Sequence, residues 1–242
     1  MSLVTIIIPS FNSHNYISDC LSNIKSAIPE LLNDGTVSVL IKDGVSTDGS
    51  VEIIKQNQKK YSWIDAAFMA DSSVYQAMNQ AVEICESKWI YFLGADDLIL
   101  PEFSKIIPHL LEDQYSKKIH YCNVELTSGG IYDGAFSQLK MVRKNICHQA
   151  IFYPTEMLRN TPFPLEYRSL GDWALNLKLF SFFIYHGYVV AQYNDITGLS
   201  KEYRDSAFVK DKPLIVLQSF GRLYYFLAIM YKMIGILKNA IR

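Results

Sequence analysis

Several common features are scarce or missing in this chain of 242 residues, and each absence excludes a class of protein. The formal net charge is −1, so no overall charge draws the chain to nucleic acid. The four cysteines lie far apart and form no Cys-x-x-Cys pair, which favours reduced, buried thiols in a cytoplasmic protein. The opening apolar run has only strand length and no basic residue before it, so we expect no secretory signal.

Two glycine-rich phosphate-binding signatures are also missing. No Gly-x-Gly-x-x-Gly follows the first apolar run, and no Gly-x-x-x-x-Gly-Lys-Ser/Thr occurs anywhere. What is present is the composition of a globular protein, with 50% hydrophobic and 19% charged residues. A chain of this length can form one large domain or two small ones that share a sheet.

The first hundred residues alternate apolar runs of strand length with amphipathic helical stretches. Strands are predicted at Val4–Ile8, Val37–Ile41, Ile64–Met69 and Trp89–Leu93. The clearest helical stripe runs from Val74 to Cys85. This β-α-β-α-β-α-β order predicts a parallel, doubly wound sheet with right-handed crossovers.

Polar and acidic side chains follow the ends of these predicted strands. They are Ser10, Asp43, Asp71 and the adjacent pair Asp96 and Asp97. In an open α/β sheet the carboxyl ends of the strands form one edge, where ligands bind. Two adjacent acids repel each other unless a partner offsets them, and Mg²⁺ or Mn²⁺ shared with substrate phosphates is the obvious one. The alternative is a solvated acidic turn.

Six segments, taken in order, are similar to the motifs of a known family. They read TIIIPSFN at 5–12, DGVSTDGS at 43–50, DSSVYQAMNQAV at 71–82, WIYFLGADDLIL at 89–100, HQAIFY at 148–153 and GDWALNLKL at 171–179. The chain resembles a bacterial family 2 glycosyltransferase of the kind that builds surface polysaccharides such as O-antigen or capsule. The likeness extends over roughly residues 3–185.

The resemblance implies an α/β, GT-A fold: a Rossmann-like, mostly parallel, doubly wound sheet with a smaller mixed half. Residues 1–100 would bind the nucleotide-sugar, 101–205 would bind the acceptor and carry catalysis, and 206–242 would form a basic, apolar helical tail. Within the second half, Ile119–Leu126 and Ile131–Phe136 are predicted as a hairpin or a mixed edge of the sheet.

The resemblance also assigns residues to a nucleoside-diphosphate sugar, with a UDP-sugar first among the donors. Pro9, Ser10, Asn12 and Asp43 would hold the base and the ribose. A carboxylate such as Asp43 can accept from a base N–H and so read its identity. The alternative for Asp43 is a turn-starting residue before Gly44.

Further site residues are implied along the remaining motifs. Asp71 and Asn79 would contact the nucleotide-sugar, Asp96 its ribose or diphosphate, and Asp97 would coordinate Mn²⁺ or Mg²⁺. His148 would approach the diphosphate or the metal; the alternative for a lone histidine is a structural role.

Asp172 is the predicted catalytic residue. It opens a predicted helix at the place where the family keeps its catalytic acid, usually as Glu-Asp followed by an aromatic, and Gly171 stands here instead of that Glu. The resemblance implies an inverting transfer in which Asp172 takes the proton from a hydroxyl of a saccharide acceptor, free or lipid-linked. The alternative is an N-cap, a position that Asp favours.

The third motif departs from the family's usual D-x-G-x-Y-D-A-M-N-x-G. Ser73, Gln76 and Ala81 stand where a glycine, an acid and a glycine are expected. This departure supports an alternative, a degenerate GT-A-fold protein that binds a sugar nucleotide or a partner without turnover. A sugar-1-phosphate nucleotidylyltransferase would need a Gly-rich, basic loop after the first strand, and PSFNSHN contains neither glycine nor Lys/Arg.

The end of the chain is apolar and basic. No acidic residue follows Asp211, whereas five basic residues do: Lys212, Arg222, Lys232, Lys238 and Arg242. This pattern predicts a helix that lies on an anionic membrane surface, at the inner face of the plasma membrane. The alternative is a helix packed on its own domain or on a homodimer partner.

Overall fold

A computed structural model of the chain describes residues 1–114, 117–132, 134–196 and 205–240, with side chains described as far as Met233. The strands are β1 (Val4–Ser10), β2 (Val37–Asp43), β3 (Ile64–Phe68), β4 (Trp89–Phe92), β5 (Leu98–Ile99), β6 (Ile119–Leu126), β7 (Ile131–Tyr132), β8 (Ile151–Pro154) and β9 (Phe183–Tyr193). The helices are α1 (Ile17–Ala27), α2 (Pro29–Asn33), α3 (Ser50–Lys60), α4 (Val74–Ile84), α5 (Ile107–Glu112), α6 (Gln138–Arg143), α7 (Thr155–Asn160), α8 (Gly171–Leu179), α9 (Ser206–Phe220) and α10 (Arg222–Ala240).

Within the described residues the strands form one sheet in the order β3-β2-β1-β4-β8-β6-β9-β5, and β7 pairs with β6. β1 is parallel to β2 and to β4, and β2 is parallel to β3. β8 runs antiparallel to both β4 and β6, so the strand direction changes in the middle of the sheet. The predicted α/β architecture, a parallel half joined to a smaller mixed half, is confirmed.

The central strand β1 is buried over most of its length, as its continuous apolar run predicts. It continues through Pro9 to Ser10, two residues beyond the predicted end. Proline has no N–H to donate, but β4 pairs with β1 only as far as Ile7, so no bond to β4 is lost there. The extension places Ser10 opposite Asp43 of β2.

The second half departs more from the sequence patterns. β6 occupies the predicted range, whereas β7 covers only Ile131–Tyr132 of the longer predicted strand, and residue 133 lies outside the described residues. β9 was not among the predicted strands, although its sequence FIYHGYVVAQY is rich in aromatic and β-branched residues. β9 fills the sheet between β6 and β5, and its end at Tyr193 leads to Asn194, close to the end of β4.

The predicted tail forms two helices that pack on the rest of the chain. α9 packs on α8, and α10 packs on α9 and on α6. The predicted domain boundary at residue 205 borders the stretch 197–204, which lies outside the described residues. Across the part of the chain that is described, no helix combines the length and the apolar character that a bilayer crossing needs.

Candidate functional site

The carboxyl ends of β1 and β2 are joined through a buried carboxylate. Ser10 Oγ donates to Asp43 Oδ2 at 2.9 Å. Ser46 donates twice more to this carboxylate, from its backbone nitrogen and from its hydroxyl, both at 2.7 Å. Asp43 is fully buried in the structure. The Asp43 carboxylate therefore connects the loops that follow β1 and β2. The predicted hydrogen bond from a nucleotide base to Asp43 stays a prediction.

The loop after β1 presents its outer side chains to solvent beside this carboxylate. Asn12 is exposed, has a left-handed φ of 51° and accepts a hydrogen bond from the Thr47 backbone nitrogen at 3.1 Å. Phe11 is 67% exposed and lies close to Gly44. Pro9 is half-buried at the end of β1. The sequence motif did not single out Phe11, although an exposed aromatic ring here offers a stacking face for a base.

A buried ion pair joins the carboxyl ends of β2 and β3. The Lys42 ammonium contacts the Asp71 carboxylate and donates to the Met69 carbonyl at 2.6 Å. Lys42 is fully buried, and the Asp71 side chain is 12% exposed. Asp71 is therefore neutralised by a lysine that sequence reasoning missed, because one lysine inside an apolar strand forms no charge pattern. The contact of Asp71 with a donor sugar stays a prediction.

We expect Lys42→Met to lower the free energy of unfolding by about 3 kcal/mol, because Asp71 would stay largely buried without its counter-charge. Urea denaturation at neutral pH measures this change. Lys59→Met, near the exposed end of α3, is the matched control and should stay within about 0.5 kcal/mol of wild type. Equal midpoints for the two variants would contradict the structural role of the ion pair.

The start of α4 accommodates the departures from the family pattern. Ser73 is the N-cap and accepts from the Gln76 backbone nitrogen at 3.2 Å. Gln76 Oε1 accepts from the backbone nitrogen and the hydroxyl of Ser72 at 2.7 and 2.8 Å. These bonds form a reciprocal cap that fixes the loop before the helix.

Asn79 of α4 holds the two halves of the chain together. Its amide nitrogen donates to the Phe163 carbonyl at 2.9 Å, and its amide oxygen accepts from the Phe163 backbone nitrogen at 3.0 Å. The structure thus gives both polar atoms of this side chain a backbone partner. Its predicted contact with the nucleotide-sugar stays a prediction.

The two adjacent acids after β4 have different surroundings. Asp97 is only 2% exposed, and its Oδ2 accepts from the Gly94 nitrogen at 3.1 Å and from Gln149 Nε2 at 2.6 Å. Its Oδ1 accepts from the Asn194 backbone nitrogen at 2.8 Å. Burial raises the pKa of Asp97 to about 6, the charge of Asp96 adds to this, and the hydrogen bonds oppose it. Asp96 is partly exposed, with Oδ2 3.3 Å from Asn194 Nδ2.

This asymmetry bears on which acid could hold a divalent cation. Asp97 was the predicted ligand, but N–H donors already occupy both of its oxygens. Mg²⁺ and Mn²⁺ bind through one or two carboxylates together with water and substrate phosphates, and a partly exposed Asp96 fits that role. Among the described residues, no three His, Cys, Asp or Glu side chains are grouped to hold a metal ion. Metal binding at this pair of acids, with Asp97 as the ligand, therefore stays a prediction, and Asp96 is the more exposed of the two.

His148 lies in an aromatic environment below this loop. Its ring is 5.0 Å from the ring of Phe92 and 5.6 Å from that of Phe163 between centroids. Within the described part of the chain, neither of its buried ring nitrogens has a hydrogen-bond partner. Burial lowers its pKa to about 4, so the imidazole is neutral at neutral pH. A neutral ring with two unused nitrogens suits a polar ligand, and the predicted contact with the donor stays a prediction.

Asp172 lies in the first turn of α8, and its carboxylate binds two donors from other elements. Leu170 is the N-cap of this helix, so the alternative of Asp172 as N-cap is wrong. The Tyr75 hydroxyl donates to Asp172 Oδ1 at 2.9 Å, and Asn145 Nδ2 donates to Oδ2 at 2.7 Å. Burial raises the pKa of Asp172 to about 6, while these hydrogen bonds oppose the shift. Such a carboxylate is ionised at neutral pH and can still accept a proton.

The amide of Asn145 is oriented by further polar side chains. Asn176 Nδ2 donates to Asn145 Oδ1 at 3.0 Å, and the Tyr153 hydroxyl donates to Asn176 Oδ1 at 2.6 Å. Because the oxygen of Asn145 already accepts, its nitrogen must face Asp172. A chain of hydrogen bonds from the core thus fixes the orientation of the carboxylate.

The glycine before Asp172 allows Tyr75 to approach. A Cβ at Gly171 would lie 2.8 Å from Tyr75 Cε2 and 3.0 Å from the Pro164 carbonyl oxygen. A larger residue at position 171 would require the Tyr75 ring or the Pro164 backbone to shift. In this structure the approach of Tyr75 to Asp172 therefore relies on Gly171.

The structure pairs Ser10 with Asp43 among the predicted residues. It also adds partners that sequence reasoning missed. Asn145 and Asn194 lie in segments without a motif, so nothing in the sequence pointed to them. Gln149 belongs to the HQAIFY segment, in which only His148 was predicted as a site residue. The side-chain amides of Asn145 and Gln149 donate to Asp172 and Asp97, and the backbone nitrogen of Asn194 donates to Asp97, each from a segment distant in sequence.

Comparison with known proteins agrees with the resemblance of the motifs. The sequence pattern described as Glycosyl transferase family 2 matches residues 5–174. A relative named PGL/p-HBAD biosynthesis glycosyltransferase, from Mycobacterium bovis (strain BCG / Pasteur 1173P2), is 30% identical over 223 residues, which cover 88% of this chain and 84% of the relative.

Solved structures share the fold. S. aureus TarS 1-349 in complex with UDP-GlcNAc aligns with a TM-score of 0.64 and 16% identity, over 91% of this chain and 68% of that one. The mannosyltransferase PcManGT from Pyrobaculum calidifontis, in complex with GDP-Man and Mn²⁺, aligns with a TM-score of 0.64 and 14% identity, over 99% of this chain and 75% of that one. A longer TarS chain is covered over 40% of its length. The fold is that of GT-A glycosyltransferases.

Proposed function

Since this chain belongs to glycosyl transferase family 2, we propose that it transfers a sugar from a nucleoside-diphosphate sugar to a hydroxyl group of a saccharide acceptor, with inversion at the anomeric carbon. The observation that carries the proposal is the placement of the Asp172 carboxylate. This carboxylate is partly buried, its pKa is raised by burial, and Tyr75 and Asn145 orient it.

Asp172 acts as the general base. Its carboxylate accepts the proton of the acceptor hydroxyl while that oxygen forms a bond to the anomeric carbon. The bond between the anomeric carbon and the diphosphate oxygen breaks, and its electron pair leaves with the nucleoside diphosphate. Tyr75 and Asn145 hold the carboxylate in position, so little reorientation is needed when the acceptor arrives.

The nucleotide end of the donor lies on the loops after β1 and β2. Phe11 and Asn12 are exposed there, beside the buried carboxylate of Asp43. A UDP-sugar is the first candidate donor, and TarS, which shares the fold, has been crystallised with UDP-GlcNAc. The diphosphate would extend toward Asp96 and His148.

Asp96 would hold a divalent cation that is shared with the diphosphate of the donor. When bound, Mn²⁺ or Mg²⁺ would neutralise the negative charge of the departing diphosphate. PcManGT, which shares the fold, has been crystallised with GDP-Man and Mn²⁺. Asp97 would keep the Gly94 turn in shape and so position its neighbour.

The acceptor would be a growing surface polysaccharide or a lipid-linked saccharide at the inner face of the plasma membrane. The mycobacterial relative is named for PGL/p-HBAD biosynthesis. The reciprocal cap of Ser73 and Gln76 gives the altered third motif a structural explanation, which weakens the alternative of a degenerate protein without turnover.

A thermal-shift screen of UDP, GDP and dTDP, each with and without Mn²⁺, tests the donor half of this proposal. We expect one nucleotide to raise the midpoint of unfolding, and Mn²⁺ to increase the shift, because a ligand that binds only the folded state stabilises it. Release of the same nucleoside diphosphate from its sugar conjugate in the presence of acceptor tests transfer. No shift with any nucleotide would contradict the proposal.

A further inference from the structure

An apolar stripe runs along the outer face of α10. It consists of four side chains spaced three, four and three residues apart: Leu223, Phe226, Met230 and Met233. This spacing places them on one face of the helix. Their exposed fractions range from 44% at Met230 to 71% at Leu223, whereas Ala228 on another face is buried. A contiguous exposed stripe of this kind marks an interaction surface.

The apolar stripe continues toward α9 through a groove between the two helices. The groove has a volume of about 450 Å³ and is lined by apolar and aromatic side chains together with two lysines: Pro213, Leu214, Leu217, Tyr225, Ile229, Met233, Lys210 and Lys232. Leu214 of α9 is itself 55% exposed. The surface is therefore apolar in its centre and cationic at its border.

The charge around the stripe selects the kind of partner. Arg222 directly precedes the stripe, Lys210 and Lys232 line the adjacent groove, and no acidic residue follows Asp211 in the sequence. In a two-fold contact between copies of this chain, the same face would meet itself and bring these cations together without a counter-charge. An anionic lipid surface offers apolar chains below a layer of negative headgroups, which matches both properties of the face.

The two helices are tied to the turn that carries Asp172. Asp205 accepts from the Phe208 nitrogen at the start of α9 and, with its other oxygen, from the backbone nitrogens of Ser169 and Leu170 at 2.9 and 3.2 Å. The Lys212 ammonium of α9 lies 3.5 Å from the centre of the Trp173 ring. A surface on which these helices rest would thus lie close to the acceptor side of the site.

We propose that α9 and α10 dock on an anionic membrane through the apolar stripe, with Lys210, Arg222 and Lys232 at the headgroups. The consequence for catalysis rests on the proposed function: docking presents Asp172 to an acceptor that is anchored in the same membrane. Membrane binding itself requires only the exposed face and its charge.

Co-sedimentation of the full chain with vesicles tests this proposal. We expect binding to vesicles of phosphatidylcholine mixed with phosphatidylglycerol, weakening as salt rises, and much less binding to phosphatidylcholine alone. Phe226→Glu combined with Met230→Glu should reduce partitioning at least about tenfold, because two apolar anchors become anionic. Arg222→Gln combined with Lys232→Gln should reduce it about 25-fold, at roughly fivefold per cation.

Ile84→Glu is the matched control, because Ile84 is an exposed apolar residue at the end of α4, away from the stripe. The Ile84→Glu variant should bind vesicles as the wild type does. Circular dichroism of each variant checks its fold. Absence of wild-type binding to anionic vesicles, or wild-type binding by both double variants, would overturn the proposal. So would a dimer, measured by light scattering, that Phe226→Glu with Met230→Glu dissociates while vesicles have no effect.

Transfer to a water-soluble acceptor is measured on the same samples. Variants that lose vesicle binding but keep this transfer support docking as a separate property. Vesicle binding without any transfer would refute the proposed function alone.

Discussion

Asp172→Asn should lower the turnover of glycosyl transfer by about 10²- to 10⁴-fold, the range that a positioned general base contributes. The amide has nearly the shape of the carboxylate but cannot take the proton of the acceptor hydroxyl. The affinity for the nucleoside diphosphate should stay close to wild type, since Asp172 faces Tyr75 and Asn145 rather than the β1 and β2 loops. Steady-state kinetics together with calorimetric titration of the nucleotide measure both quantities.

A control variant makes this result specific. Asp65→Asn, on the exposed face of β3, removes one carboxylate far from the site and should keep wild-type kinetics. Asparagine keeps the size of aspartate but cannot take a proton, so undiminished turnover of Asp172→Asn would show that this carboxylate is not the base.

The pH profile of the wild type should report the same residue. With a pKa of about 6, Asp172 is ionised at pH 7 and becomes protonated as the pH falls below 6. A protonated acid cannot accept the acceptor proton, so the rate should fall about tenfold per pH unit below that value. The residual turnover of Asp172→Asn should lack this acid limb. The range from pH 5 to pH 7 extends about one unit on either side of this pKa. A wild-type rate that stays constant over this range would contradict the assignment.

Asp96→Asn should lower kcat/KM by at least about 100-fold, because a cation at a leaving diphosphate is worth several kcal/mol and each 1.4 kcal/mol is about tenfold. It should also abolish the effect of Mn²⁺ on nucleotide affinity, measured by calorimetric titration of UDP with and without the metal. This second measurement does not depend on turnover.

Asp97→Asn is the matched comparison for this experiment. Asp97 is buried and bonded by Gln149, Gly94 and Asn194, so its loss should loosen the turn and reduce stability while a cation effect on nucleotide binding remains. The reverse result, with the Mn²⁺ effect lost in Asp97→Asn and retained in Asp96→Asn, would restore Asp97 as the ligand.

The sequence alone determined the family and most of the parallel half of the fold. Buried parallel strands read as unbroken apolar runs, and the intervening helices show one apolar face, so both appear as local patterns. β1, β2, β3 and β4 all begin at the predicted residues. β9 was missed because its apolar and aromatic residues follow no strict period of two, and its place between β6 and β5 depends on tertiary packing.

Only the tertiary structure decided how the acids of the site differ. In the sequence Asp96 and Asp97 are equivalent neighbours, but Asn194, 97 residues after Asp97, and Gln149 bind Asp97 and leave Asp96 partly exposed. In the same way Asn145 and Tyr75 make Asp172 an oriented carboxylate rather than a helix cap. Acidity and exposure are set by partners distant along the chain, because desolvation and hydrogen bonding act through space and leave no period in the sequence.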